Sequence, residues 1–302
     1  MIHPATAIHP ATADFGPAPQ LAFDGLLVGS FYAMLAVSFG IIFSTTRTFH
    51  FAHALTFTVG AYAGVVAAEA GLPFWSAVLL GALAAAFFGV ASDLLVYRPL
   101  RRRQAKQLNI FLASLGFLIA GEAVVQYVFG PNSRPLPSVP VTGVQFGSLA
   151  TSSLQILIAV VSWLFVLLVA AFLRWSKYGL AIRGVESNAV LADAFGVSRT
   201  LIFVLVFFIG SFLAGAGGVL FAARDTATPG MGLEPLLAAF IAVFIGGIGS
   251  IAGAAVGGLV LGFAESLGAI VLPGYLTNIV AFVILFLVLV VRPRGLLAPR
   301  TT

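Results

Sequence analysis

The stretch Leu154–Leu173, LQILIAVVSWLFVLLVAAFL, contains twenty residues and no charged side chain. A helix of about 20 residues, rising 1.5 Å per residue, spans the hydrocarbon core of a bilayer. Backbone polar groups in lipid must be satisfied within the chain, which a helix achieves by itself. This stretch therefore predicts a membrane-spanning helix.

The same pattern recurs along the chain and predicts a polytopic protein. Six further segments each fit one crossing: 21–44, 49–68, 73–97, 108–129, 201–221 and 275–291. Region 233–270 is too long for one span and is interrupted by glycines, which are poor helix formers. It either crosses twice, giving nine crossings, or dips and returns, giving seven and a re-entrant element. We favour the first, so the fold class is all-α with eight to nine transmembrane helices, one of them interrupted or re-entrant.

Composition excludes several classes of protein. The 302 residues are 60% hydrophobic and 8% charged, with a mean hydropathy of +1.10, whereas soluble domains are about a quarter charged. The absence of cysteine rules out disulfides, thiolate metal sites and cysteine nucleophiles. The net charge of +5 lies in short loops beside apolar segments, which is typical of orientation signals rather than of nucleic-acid binding.

Basic residues also predict the orientation and the domain limits. Short loops rich in Lys and Arg stay in the cytoplasm, so loops 98–106 and 174–200 are predicted inside, together with the C-terminus. The N-terminus and loop 130–153 then lie outside. Residues 1–20 are expected to form a disordered tail, 21–296 the transmembrane domain and 297–302 a C-terminal tail.

Polar side chains inside the predicted spans are candidate functional residues. Glu122 and Glu265 each have apolar neighbours on both sides, which places them along a solute path or in a polar contact near the interface. His50 and His53 are further candidates for the translocation path, and they lie three residues apart and so share one helical face. Polar packing is favoured for them over a metal pair, because no cysteine or carboxylate is close in sequence.

The glycine-rich region has two interpretations. Gly249, Gly253 and Gly257 recur every four residues, which predicts close helix packing. Gly246, Gly247 and Ser250 are the candidates for an interrupted helix whose backbone groups meet a solute near the middle of the membrane.

The inner loop 174–200 holds a further predicted helix. Between Val185 and Val197, apolar residues recur near helical spacing, and this predicts an amphipathic cytoplasmic helix. Gly196 suits its C-terminal end, because glycine adopts the left-handed conformation without strain.

At this loop the sequence resembles a known family. The stretch 177–218, KYGLAIRGVESNAVLADAFGVSRTLIFVLVFFIGSFLAGAGG, is similar to the LivH branch of the permeases of ATP-binding-cassette importers. HFAHA at 50–54, YRPLR at 97–101, FIGGIGSIAGAAVGG at 244–258 and VRPRGL at 291–296 resemble family motifs in the family's order. His50 and Ala54 depart from the usual Asn and Gly.

The resemblance implies a non-catalytic plasma-membrane subunit that transports branched-chain amino acids or a related small solute. Its implied partners are a second related permease, two cytoplasmic ATPase subunits and an extracytoplasmic solute-binding protein. ATP would be used by the ATPase subunits, and this chain would bind no cofactor or metal. The implied contacts of the coupling loop are Glu186, Asn188, Ala189, Asp193 and Gly196.

Two other classes of protein were weighed. The sequence lacks the G-x-x-x-x-G-K-[ST] phosphate loop, in agreement with energy supplied by a partner. A self-contained secondary transporter or channel is the alternative, but its few scattered carboxylates would make a poor ion relay. A membrane enzyme is disfavoured, because no clustered His, Asp or Ser constellation is visible.

Overall fold

The computed structural model describes residues 18–137, 139, 141–270, 277–292 and 295–297, and these are mostly helical. The helices are α1 Ala18–Thr46, α2 His53–Glu69, α3 Phe74–Ser92, α4 Arg98–Arg102, α5 Gln107–Phe129, α6 Ser153–Trp175, α7 Lys177–Ala194, α8 Arg199–Arg224, α9 Leu233–Gly246, α10 Ile251–Gly268 and α11 Thr277–Val291. A π-helical turn, Asp93–Tyr97, joins α3 to α4. The strands β1 Gly143–Phe146 and β2 Leu149–Ser152 form an antiparallel hairpin.

Within the described residues, six helices are long and apolar enough to cross a membrane. They are α1, the continuous run from α3 to α4, α5, α6, α8 and α10. α9 and residues 279–291 of α11 are apolar but shorter. The chain is thus a multi-pass helical protein, and the predicted total of eight to nine crossings remains a prediction.

The bundle has two distinct ends. At the basic end, the side chain of Gln107 donates to the carbonyl of Arg47, which joins the start of α5 to the end of α1. At the hairpin end, the Gln20 side chain donates to the carbonyl of Ala150 and accepts from its amide, and these two bonds join α1 to β2. Arg134 forms an ion pair with Glu69 at 3.4 Å at this same end.

α1 is the central helix and packs on α10 through glycine. A methyl group on Gly29 would lie 2.9 Å from the Cα of Leu259, and one on Gly262 would overlap the backbone of Gly29. Gly25 and Gly258 are equally close to the opposite helix. Small residues let helix backbones approach in lipid, where dispersion contacts replace the hydrophobic effect as the source of stability.

The region 233–270 forms two helices joined by the turn Gly247–Ser250. α9 has 14 residues and is about 21 Å long, so it covers only part of a bilayer. The preceding segment runs from Ala227, which pairs with Arg134 at the hairpin end, to Gly232, which packs on the backbone of Ala54 inside the bundle. The chain therefore re-enters the bundle before α9 begins, and region 233–270 contains one short and one longer helix.

The packing glycines lie where α9 meets α10. A methyl group on Gly253 would meet the carbonyl oxygen of Gly246 at 2.5 Å, and one on Gly257 would overlap the carbonyl of Ala242. Gly249 lies in the turn itself, with φ of +87°.

Several predicted boundaries differ from the structure. α1 begins at Ala18, so residues 18–20 of the expected tail are helical, whereas residues 1–17 lie outside the described part of the chain. Leu297, assigned to the C-terminal tail, bonds to α9, and residues 298–302 are again outside that part. The second span starts at His53 rather than Phe49, because residues 47–52 are not helical.

Candidate translocation and coupling site

The two histidines lie in the interior of the bundle and link several helices. His50 Nδ1 is 2.8 Å from the hydroxyl of Tyr97, which donates to Ser114 Oγ at 2.8 Å. His53 Nε2 is 2.9 Å from Ser38 Oγ. The first set of bonds joins the segment before α2 to the π-helical turn and to α5, and the second joins α2 to α1.

The hydrogen bonds fix which ring nitrogens donate. Ser38 donates its one hydroxyl hydrogen to the carbonyl of Gly210, so His53 Nε2 must be the donor to Ser38. The remaining nitrogens, His50 Nε2 and His53 Nδ1, are buried and have no hydrogen-bond partner among the described residues. In that same part of the chain, no group of three His, Cys, Asp or Glu side chains could hold a metal. Each histidine thus has one ring nitrogen in a buried hydrogen bond, and its role in transport remains a prediction.

The glycine-rich turn lies at the basic end and its backbone is satisfied within the chain. Gly247 adopts φ of +106° at the end of α9, a conformation that favours glycine. Ser250 caps α10 by accepting from the amide of Gly253 at 2.9 Å. The amides of Leu296 and Leu297 donate to the last carbonyls of α9 at 2.8 Å.

These bonds differ from the expectation that Gly246, Gly247 and Ser250 present backbone groups to a solute near the middle of the membrane. The physical reason is that the last carbonyls of a helix need partners, and the C-terminal segment supplies them here. The turn instead contributes to a cavity beside α7, which it lines together with Ser44 and Glu186.

Glu186 faces this cavity. Burial raises the pKa of its carboxyl, while the hydroxyl of Ser44 and the charge of Arg47 oppose the shift. The resemblance had implied a contact between Glu186 and an ATPase. In the structure its side chain faces α1 and the α9–α10 turn, and a contact with an ATPase remains a prediction.

The helix of the inner loop is longer than predicted and is broken. α7 starts at Lys177, and Asn188 has non-helical φ and ψ of −152° and 98°. The Asn188 side chain accepts from the amide of Leu191 at 2.9 Å and so caps the second part. The helix ends at Ala194, before the predicted Val197.

The end of α7 confirms the prediction for Gly196, which adopts φ of +81°. Its amide donates to Asp193, and the amide of Val197 donates to Ala192, at 2.9 and 3.0 Å. This pair of bonds is a Schellman motif. Asp193 also forms an ion pair with Arg199 at 2.6 Å.

The exposed surface of α7 carries apolar residues that the sequence analysis missed. Val190, Leu191 and Phe195 are 72%, 54% and 80% exposed. Ala189, by contrast, is half-buried and packs against the core. The available signal was the spacing of Leu191 and Phe195, which lie four residues apart and so share one helical face. Such a surface at the end of a helix is suited to docking on a partner.

The two intramembrane glutamates have different surroundings. Glu265 on α10 accepts a hydrogen bond of 2.8 Å from the Tyr32 hydroxyl and lines a cavity with Glu234. Glu122 is half-buried on α5, a helix with large exposed apolar side chains on its other faces. Glu265 thus lines a cavity and has a hydrogen-bond partner, a difference from Glu122 that the sequence did not show.

Comparison with known proteins identifies close relatives. A model of the family described as "Branched-chain amino acid transport system / permease component" matches residues 21–289. The chain is 32% identical to the high-affinity branched-chain amino acid transport system permease protein BraD of Pseudomonas aeruginosa, over 92% of this chain and 95% of that protein. It is 30% identical to the corresponding protein LivH of Escherichia coli K12, over 92% of this chain and 94% of that protein.

One solved structure has a similar fold. PsaBC from Streptococcus pneumoniae in complex with Fab aligns with a TM-score of 0.51 and 14% identity, covering 91% of this chain and 92% of that one. At this identity the likeness concerns the fold alone.

Proposed function

The chain belongs to the family of permease components of branched-chain amino acid transport systems, and we propose that it is the membrane-spanning subunit of an ATP-driven importer of these amino acids. The observation that carries the proposal is the extent of the match, which runs from α1 into α11. Identity of 30–32% over 92% of the chain supports the same assignment.

The proposed complex contains a second permease, two cytoplasmic ATPase subunits and a solute-binding protein outside the membrane. Exposed apolar faces support a second membrane subunit: Leu112, Ile119 and Tyr127 on α5 are 53%, 60% and 91% exposed. These side chains need lipid or another apolar surface around them. ATP acts on the partner subunits, and this chain is non-catalytic.

Placement in the membrane follows from charge. Because α4 and α7 bring several arginines to the basic end, we place that end in the cytoplasm and the β-hairpin outside the plasma membrane. The ATPase subunits would then reach α7, and the solute-binding protein would reach the hairpin end.

The coupling mechanism uses α7 as the moving element. An ATPase subunit would contact Val190, Leu191 and Phe195 and would shift α7 when it binds ATP. Glu186, on the other side of α7, lines a cavity together with the α9–α10 turn, which Leu296 and Leu297 also contact. Movement of α7 would therefore reach α9 through α1, which packs on both helices, and through this shared cavity.

The test is a double variant, Leu191→Ser with Phe195→Ser. Both side chains are exposed, so the permease should fold, while the apolar contact with the ATPase is lost. We expect co-purification of the ATPase subunits and stimulation of ATP hydrolysis by loaded binding protein to fall by about tenfold or more, as for loss of two apolar anchors at an interface. Both are measured on complexes reconstituted in lipid.

The matched control is Val141→Ser, an exposed apolar residue on the loop before the hairpin. It should leave co-purification of the ATPase subunits unchanged, because it lies at the opposite end of the bundle from α7. Wild-type co-purification and stimulation in the double variant would show that α7 is not the ATPase contact.

A further inference from the structure

A cavity of about 160 Å³ lies between α1, α9, α10 and α11. Tyr32 forms part of its wall and is the middle residue of α1, so the cavity is about midway between the two ends of the bundle. Leu233 and Phe282, at its rim, are 44% and 51% exposed, which opens it to the surface of the chain. It is separate from the cavity beside Glu186.

The polar part of this cavity is anionic. Glu265 lies on α10, and Glu234 lies on the first turn of α9. Tyr32 donates to Oε2 of Glu265, which holds that carboxylate in place and leaves its other oxygen available. Among the described residues that line the cavity there is no Lys, Arg or His. Two carboxylates at membrane depth are costly without a cation, so the lining calls for a cationic ligand group.

The rest of the wall is apolar. Leu237, Ala238, Ile241 and Ala281 complete the lining. An apolar cavity of about 150 Å³ in another protein takes up benzene, so this volume suits an organic body of several carbons. The ligand that fits both parts carries an ammonium group and a compact apolar side chain.

We propose that this cavity binds the transported amino acid during its passage, with Glu265 and Glu234 holding the ammonium group and the apolar wall selecting the side chain. The inference rests on the proposed function and adds the residues that contact the solute within the membrane. α9 begins at this wall, and the positive end of its dipole faces the α-carboxylate of the solute.

The position also connects the cavity to the coupling end. α9 carries Glu234 on its first turn and ends at Gly246, beside the turn that lines a cavity together with α7. A shift of α7 would thus displace one wall of the cavity along a single rigid helix.

The experiment measures ATP-dependent uptake of radiolabelled leucine and alanine into proteoliposomes that contain the whole complex and binding protein. Glu265→Gln keeps the size of the side chain and removes its charge. We expect leucine uptake to fall about tenfold or more, the effect of losing one hydrogen bond to a charged group. Assembly and ATPase stimulation should be retained, because the ATPase contact is at the other end of α9.

A second variant tests the apolar wall. Ala238→Leu fills the cavity, so leucine uptake should fall by a larger factor than alanine uptake. Asp24→Asn is the control and should keep wild-type rates for both solutes, because Asp24 is a half-buried carboxylate that lies outside the cavity and accepts a hydrogen bond from Gln20.

The outcomes separate the two proposals. If wild-type complexes take up no leucine, the proposed function is wrong, and so is the proposal that this cavity binds a transported amino acid. Wild-type uptake that persists within about twofold in both Glu265→Gln and Ala238→Leu would overturn the cavity assignment alone. Equal loss of leucine and alanine uptake in Ala238→Leu would also overturn it, because an amine-headed lipid in the cavity would give no selectivity.

Discussion

Glu186 lies on a surface helix, but its side chain faces the interior of the chain. The resemblance placed it at a partner surface, and its neighbours in sequence gave no reason to choose otherwise. The fold turns it toward Ser44 and the α9–α10 turn, and burial raises the pKa of its carboxyl. A sequence pattern shows which side chains share one face of a helix. It does not show whether that face packs on the same chain or on a partner.

The raised pKa makes a testable prediction about pH. When folding raises the pKa of a glutamate, the folded state becomes less stable as the pH rises above the ordinary pKa of that group, about 4.3. The Glu186→Gln variant has no ionisable group at this position, so the wild type should lose thermal stability relative to this variant as the pH rises above about 4.3. The measurement is the unfolding temperature in detergent across this range.

Ser187→Ala is the matched control for this prediction, since Ser187 is the exposed neighbour of Glu186 and carries no titratable group. Its pH profile should follow the wild type. If wild type and Glu186→Gln show the same pH profile, burial of the carboxyl does not affect stability.

Other single residues show what the sequence could predict. Gly196 was predicted to end a helix in the left-handed conformation, and it does, because few other residues tolerate positive φ. The contacts of Leu296 and Leu297 with α9 could not be predicted, because they join positions about 50 residues apart that only the tertiary fold brings together. The roles of His50, His53, Asn188 and Ala189 in transport remain predictions.

At the level of helices, glycine determines which elements touch. Gly25 and Gly29 of α1 face Gly258 and Gly262 of α10 with no space for a side chain. The spacing of four residues on each helix was visible in the sequence. The pairing of the helices was not visible, because α10 also carries Gly253 and Gly257, which face α9 instead of α1.

Gly262→Ala should destabilise the α1–α10 pair, because the added methyl group would overlap the backbone of Gly29. Overpacking of this kind costs about 1–3 kcal/mol. Thermal unfolding in detergent measures the loss. Gly116→Ala on α5, where a methyl group meets no atom within 4 Å, is the control and should be neutral or slightly stabilising. Equal unfolding temperatures for the two variants would contradict the packing described here.

Element boundaries were predictable only in part. Long uninterrupted apolar segments such as α6 and α8 lie within a few residues of their predicted limits. The break of α7 at Asn188 and the shortness of α9 escaped the sequence analysis, because tertiary contacts decide where a short or polar helix ends. The π-helical turn at Asp93–Tyr97 had no sequence signal that we could identify.

For the whole molecule, the alternation of apolar segments and basic loops indicated a multi-pass helical fold, and the family match and the helices agree with it. The number of crossings depends on α2, α9 and α11, which are the shortest of the apolar helices. Length alone cannot assign such helices, because a partial crossing and a complete one differ by only a few residues.

The orientation can be tested with single cysteines, since the chain has none. Arg102→Cys and Asn188→Cys lie at the basic end, and Gln145→Cys lies in the hairpin. An impermeant thiol reagent should label position 145 in intact cells and the other two only after the cells are opened. Labelling of 102 or 188 in intact cells would reverse the assignment.

The central claim is that this chain forms the path of an ATP-driven importer of branched-chain amino acids. The most direct measurement is uptake of radiolabelled leucine by proteoliposomes with this chain, its partner permease, the ATPase subunits and the binding protein. The account predicts uptake that requires ATP and this chain, and that persists when ion gradients are abolished. Leucine uptake driven by an ion gradient without ATP, or ATP-dependent uptake that continues when this chain is omitted, would contradict it.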